Sequence, residues 1–182
     1  ADDAALREVA QQLWRARRKS TLTGAEPLVV ECLAERDLPG TVEAMIALMR
    51  EDAGKQQADA PGVRLENDAA IFWCRLAGRD WKRARALLAE LPGNDAALRF
   101  WCVAASECAL SPERLPVFME AMARGVSVKS RERALYPALW NAVKAHGAKK
   151  AATVAAKCGD RPMRSLAEKL VADLKKHPPF NG

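Results

Sequence analysis

The chain has 182 residues, 49% of them hydrophobic and 29% charged, with a formal net charge of +6 at pH 7. That length can bury a substantial core, and the composition excludes a disordered or collagen-like chain. No apolar run approaches the roughly 20 residues needed to span a bilayer, so no membrane is expected as a partner.

Helical periodicity covers nearly everything, without convincing strand alternation. The first predicted helix spans residues 3–19 and puts Leu6, Val9, Ala10, Leu13 and Ala16 on one face. Arg15, Arg17, Arg18 and Lys19 crowd its C-terminal end, where the helix dipole favours cations. Ala1 opens the chain without an apolar core behind positive charge, so no secretory signal is read; a leader removed before Ala1 and a piece of a longer chain are both open. "STLTGAEP" breaks the first helix. A second helix, about 26–37, uses Leu28, Val29, Cys32 and Leu33, and "DLPG" is read as its end. A third, about 41–51, uses Val42, Met45, Ile46 and Met49. The polar, turn-rich stretch 52–62 is expected to be the longest loop and to project from the packed helices.

The next region repeats itself. "NDAAIFWC" at 67–74 recurs as "NDAALRFWC" at 94–102. Both begin with Asn-Asp, good N-cap residues, and both run into Phe-Trp-Cys. Trp73 and Trp101 are therefore expected to be equivalent buried positions in successive repeats. Between them Gly78 is read as a helix end, and Trp81, Ala84, Leu87, Leu88 and Leu91 form the next apolar stripe. Further helices follow at about 95–109, up to Arg124, 131–146, 148–158 and 162–176. Pro116 and Pro137 mark either helix starts or kinks.

The second helices of successive pairs begin near Thr41, Lys82, Glu113 and Ala148, a spacing typical of helical-hairpin repeats. An amphipathic hairpin cannot bury its face alone, and stacked neighbours complete the core. The expected fold is all-α: a solenoid of about four antiparallel hairpins with additional terminal helices. It is expected to form a single helical-repeat domain over 1–182, with an N-terminal helix and linker at 1–25, hairpin repeats at 26–160, and a capping helix and tail at 161–182.

"LYPALWNAVKAHG" at 135–147 carries an aromatic, then Ala-Leu and further apolar residues, and ends at a glycine. "VFMEAMARGVSVK" at 117–129 carries an apolar-aromatic pair, Glu-x-Met, a basic residue, Gly, an aliphatic and Lys. In that order these stretches resemble the first and second helices of a pentatricopeptide repeat. "LAGRDWKRARALLAEL" at 76–91 also resembles the related tetratricopeptide pattern. The resemblance covers about residues 26–160. It implies helical hairpins, and in many members single-stranded RNA binding through the residue after the aromatic. Here that residue is Pro137, which has no side-chain donor or acceptor, and the link from Gly125 to Tyr136 is longer than the pattern wants. Base-by-base readout is thus disfavoured. The role of degenerate relatives, architectural parts of organellar ribonucleoproteins such as the mitochondrial ribosome, fits better.

Charge is uneven. Residues 1–122 carry 16 Lys+Arg against 19 Asp+Glu, and residues 123–182 carry 13 against 4. A basic last third points to a local anionic partner. Lys144, Lys149, Lys150 and Lys157 cluster around one hairpin, and Arg161, Arg164, Lys175 and Lys176 continue on the next helix. These eight are the expected contacts to RNA backbone, with low base specificity. Lys149 and Lys150 fall at a helix start, where a bound phosphate would be favoured.

No catalytic set is visible, and an enzyme is not expected. "GVSVKS" at 125–130 lacks the first glycine and the preceding strand of a phosphate-binding loop. His146, at a helix end, suits a cap better than catalysis, and His177 lies in the tail. Cys32, Cys74, Cys102, Cys108 and Cys158 have no framework or zinc-site spacing. They are read as reduced, buried small hydrophobes, which suits cytosol or an organelle matrix. No cofactor or metal is expected. The expected function is an architectural subunit of an organellar ribonucleoprotein, with other protein subunits along the solenoid and RNA at the basic end. The alternative is a tetratricopeptide-like adaptor or chaperone that binds protein alone.

Overall fold

In the computed structural model, residues 4–5, 8–9, 11–12, 26–54, 62–108 and 110–176 are described. Most of the predicted helix 3–19, residues 55–61 of the predicted loop and the tail from His177 lie outside them. The described part is all-α, and the chain divides into two compact units, Ala1–Pro92 and Gly93–Gly182.

The first unit contains α1 (Glu26–Arg36), α2 (Leu38–Gly54), α3 (Gly62–Arg79) and α4 (Trp81–Leu88). α2 packs on α1, α3 and α4, and α3 packs on α4. Val42, Met45, Ile46, Leu76 and Leu87 are buried between them. Trp73 is fully buried, donates its Nε1–H to the Ala84 carbonyl at 2.8 Å and meets the Trp81 ring edge-on. Two aspartates act as one-residue joints. Asp37 closes α1 with its N–H on the Leu33 carbonyl, and its carboxylate accepts from Gly40 N in the first turn of α2. Asp80 does the same between Leu76 of α3 and Arg83 of α4.

The second unit contains α5 (Leu98–Glu107), α6 (Leu115–Gly125), α7 (Val128–His146), α8 (Ala148–Ala155) and α9 (Arg161–Lys176). Each of α6, α7 and α8 packs on the helix that follows it. In addition α5 packs on α7, α6 on α8, and α7 on α9. Trp101 is fully buried, edge-on to Phe100 and Phe118. Gly125 closes against its indole, because a Cβ there would lie 2.9 Å from Trp101 Nε1. Gly147 is the one-residue joint between α7 and α8, at φ +79°, a conformation that glycine takes freely.

Burial of both Trp73 and Trp101 agrees with the sequence reading. Several boundaries do not. Asn67 and Asp68 lie more than a turn inside α3 and so are not its N-cap; the helix starts early enough to bury Leu65. Asn94 and Asp95 adopt positive φ in the turn before α5, whose N-cap is Ala97. "DLPG" ends α1 at Asp37 as read, and it also opens α2, with Pro39 in the first turn where its missing N–H costs nothing. Gly78 lies within α3, one residue before its end. Pro116 likewise begins a helix, whereas Pro137 sits inside α7 and leaves the Arg133 carbonyl without its helical donor. The link after Gly125 is two residues long, so Tyr136 is mid-helix and not the start of one. Among the five free thiols Cys108 and Cys158 are buried, Cys74 and Cys102 are half-buried, and Cys32 is exposed. The uniform burial expected of them does not hold, since Cys32 lies on the outer side of α1, away from Leu33.

Candidate functional site

The basic last third is the one region whose charge departs strongly from balance, so the site is sought there. α8 buries Ala151, Val154 and Ala155. This turns Lys149 and Lys150 to solvent in its first turn, and Lys157 is exposed in the turn that follows the helix. None of the three makes an ion pair among the described residues. The Glu113 carboxyl is held below the ordinary range, first by its own backbone N–H, then by the Ser111 hydroxyl, with smaller help from Lys150 and Lys157. That carboxylate therefore stands near the lysine face and offsets part of its charge. Lys144 is exposed in the last turn of α7.

α9 places its basic residues at opposite ends. Arg161 is exposed at the start, and Lys175 and Lys176 are exposed in the last turn, about 20 Å further along the axis. Lys176 comes within 3.9 Å of Asp173. Arg164 is half-buried and donates Nη1 to the Cys158 carbonyl at 3.2 Å, so it is committed to the turn before its own helix. The eight expected contacts are thus not one patch. Lys149 and Lys150 open α8 and Lys157 follows its end, Lys144 stands across the Gly147 joint from Lys149, and the α9 residues are spread along a helix that also exposes Glu168 and Asp173.

Two further basic residues escaped the sequence reading. α7 begins at Val128, three residues before the predicted start, and carries Lys129 and Arg133 on the same exposed helix as Tyr136 and Lys144. Their spacing was visible in the sequence, but it becomes one stripe only when the helix is continued back to residue 128. Arg131 is different. It donates to the Val126 and Ala123 carbonyls and so caps the C-terminal end of α6.

One hydroxyl–carboxylate cluster invites comparison with catalytic machinery. Asp95 accepts from Ser127 N at 2.8 Å, from Ser127 Oγ and from Ser130 Oγ at 2.8 Å. Desolvation pushes its carboxyl up, but the bonds from Ser127 and Ser130, with Lys129 nearby, outweigh this and hold it below the ordinary range. A carboxylate so stabilised is a poor base, and among the described residues no imidazole is bonded to either serine. Ser127 is the N-cap of α7 and makes no side-chain cap bond of its own, so the cluster is a cap supplied from 32 residues earlier. Burial pushes the Cys158 thiol up, which disfavours a reactive thiolate. Among the described residues no group of three or more His, Cys, Asp or Glu could hold a metal ion, and no helix is long and apolar enough to cross a membrane. Comparison with family models, with curated proteins and with solved structures gave no match.

Proposed function

We propose that the protein is a non-catalytic, architectural subunit of a ribonucleoprotein, with RNA-backbone contacts from its basic last third. The observation that carries this reading is α8 with the turn after it, where Lys149, Lys150 and Lys157 are all exposed and none is ion-paired among the described residues. Glu113 offsets part of the charge of Lys150 and Lys157, and an external phosphate would neutralise more of the cluster. Lys149 and Lys150 also sit in the first turn, where the dipole opposes cations and a bound anion would relieve that cost. Stacked hairpins are the proposed scaffold. In the second unit, packing of each helix on the next but one, α5 on α7, α6 on α8 and α7 on α9, supports this. The organelle interior, with the mitochondrial ribosome as first candidate, rests on the pentatricopeptide resemblance alone.

Backbone binding should be steeply salt-dependent and nearly independent of sequence. The test is binding of the purified protein to unrelated single-stranded and duplex RNAs at two salt concentrations. Replacing Lys149, Lys150, Lys175 and Lys176 with Glu should remove RNA association and leave the helical circular dichroism unchanged. No binding at low salt, or no effect of the charge reversal, would favour the adaptor that binds protein alone. A strong preference for one short sequence would instead restore base readout.

A further inference from the structure

We propose that the solvent face of α7 is a stacking platform for single-stranded nucleic acid, on which Tyr136 and Trp140 take bases while Lys129, Arg133 and Lys144 hold the phosphates. This rests on the RNA-binding reading above and goes beyond it, because that reading involves backbone charge alone.

The five residues are spaced by four, three, four and four positions, which makes one stripe along a helix. The buried residues Ala134, Leu135, Ala138, Leu139 and Ala142 lie off that stripe, and Val143, seven residues after Tyr136, is buried at its edge. Tyr136 is 41% exposed and Trp140 is half-buried. Their ring centroids are 6.1 Å apart with 33° between the planes, so the two rings form one tilted aromatic surface. The stripe is about 22 Å long from Lys129 to Lys144, room for several nucleotides. Its charges are all positive; Glu132 stands at its edge.

The chemistry of the stripe selects its occupant. Phosphate alone would account for the cations and leave the rings in water without purpose. A protein partner would be anchored by aliphatic side chains as well, and the stripe offers no Leu, Ile, Val or Met. A duplex keeps its base faces stacked on each other, out of reach of a ring on a helix surface. A single strand presents both an anionic backbone and free base faces. Aromatic residues between cations meet both needs without reading sequence, which agrees with Pro137, the residue after Tyr136, having no side-chain donor or acceptor.

The experiment compares the full chain binding three fluorescent probes of equal length at low salt: a twelve-nucleotide oligo(U), an abasic ribose-phosphate chain and a duplex. Oligo(U) should bind at least about fivefold more tightly than the abasic chain, the order expected for one stacked base. Tyr136→Ala, at an exposed position, should erase that difference, and Tyr136→Phe and Trp140→Phe should keep it. Equal binding of oligo(U) and the abasic chain overturns the platform and leaves the backbone reading standing. Tyr136→Ala without effect overturns it as well. An oligoglutamate peptide that binds as tightly as oligo(U) and needs Tyr136 would assign the stripe to an acidic protein. No binding of any probe removes the RNA reading itself.

Discussion

Asp95 offers a sharp test of the second unit, because two effects of opposite sign meet at one residue. Its carboxylate holds the start of α7 through Ser127 and Ser130, and its backbone pays for this with a φ of +66°. Losing a set of charge-assisted bonds that cap a helix costs about 2 kcal/mol. A residue with a Cβ held in the left-handed region adds about 1 kcal/mol, which glycine does not incur. Asp95→Ala should therefore lose about 2 kcal/mol, since it loses the cap and keeps the strain, and Asp95→Gly about 1 kcal/mol, since relief of strain offsets part of the lost cap. Asp95→Asn keeps the shape and tolerates the same φ, but loses the charge, for about 1 kcal/mol. The assay is urea denaturation followed by circular dichroism at 222 nm, a standard helix wavelength. pH supplies an independent check. The folded carboxyl is held below its ordinary range, so its stabilisation is present above the unfolded value of about 4 and is lost as pH falls through the lower folded value. The advantage of the native chain over Asp95→Asn should be flat near neutrality and shrink towards zero in acid. Equal stability of the Ala and Gly variants would refute the strain argument. A native advantage over Asp95→Asn that does not change with pH would refute the cap.

Other consequences follow from the two tryptophans and their neighbours. Trp73→Ala and Trp101→Ala should each cost about 3–5 kcal/mol by cavity formation, read by the same denaturation. Trp73→Phe should cost about 1 kcal/mol more than Trp101→Phe, because Trp73 donates to the Ala84 carbonyl while Trp101 Nε1 has no acceptor among the described residues. Gly125→Ala should cost about 1–3 kcal/mol by driving a methyl into the Trp101 indole, and Trp101→Phe should recover part of it in a double-mutant cycle. Asn141 donates to the Ala105 and Ser106 carbonyls, so Asn141→Leu should cost about 1 kcal/mol by releasing the end of α5.

The order of helices and the burial of both tryptophans were legible in the sequence, because apolar periodicity at 73, 76 and 77, or at 100, 101, 104 and 105, survives any shift of the helix ends. Helix starts were less legible. Asn67-Asp68 and Asn94-Asp95 have identical local chemistry, yet one pair is mid-helix and the other sits in a turn. The difference comes from outside the pair: Leu65 is buried ahead of the first, and Ser127 binds Asp95 of the second. A cap supplied from 32 residues away leaves no local signal. The basic candidates were legible by type but not by placement. Nothing near Arg164 in sequence says that it turns back onto Cys158, and starting α7 too late separated Lys129 from Arg133 and Tyr136.

The one-residue joints at Asp37, Asp80 and Gly147 leave no slack between consecutive helices. An inserted or deleted residue there would rotate the following helix by about 100° and shift its buried and exposed sides. Lineages of this chain can therefore gain or lose length at the longer turns, 89–97 and 108–114, while the joints hold their count. Asp37 and Asp80 carry a second constraint, since each ends one helix and begins the next. A substitution at either position frays two helices at once, whereas a change at an ordinary cap disturbs one.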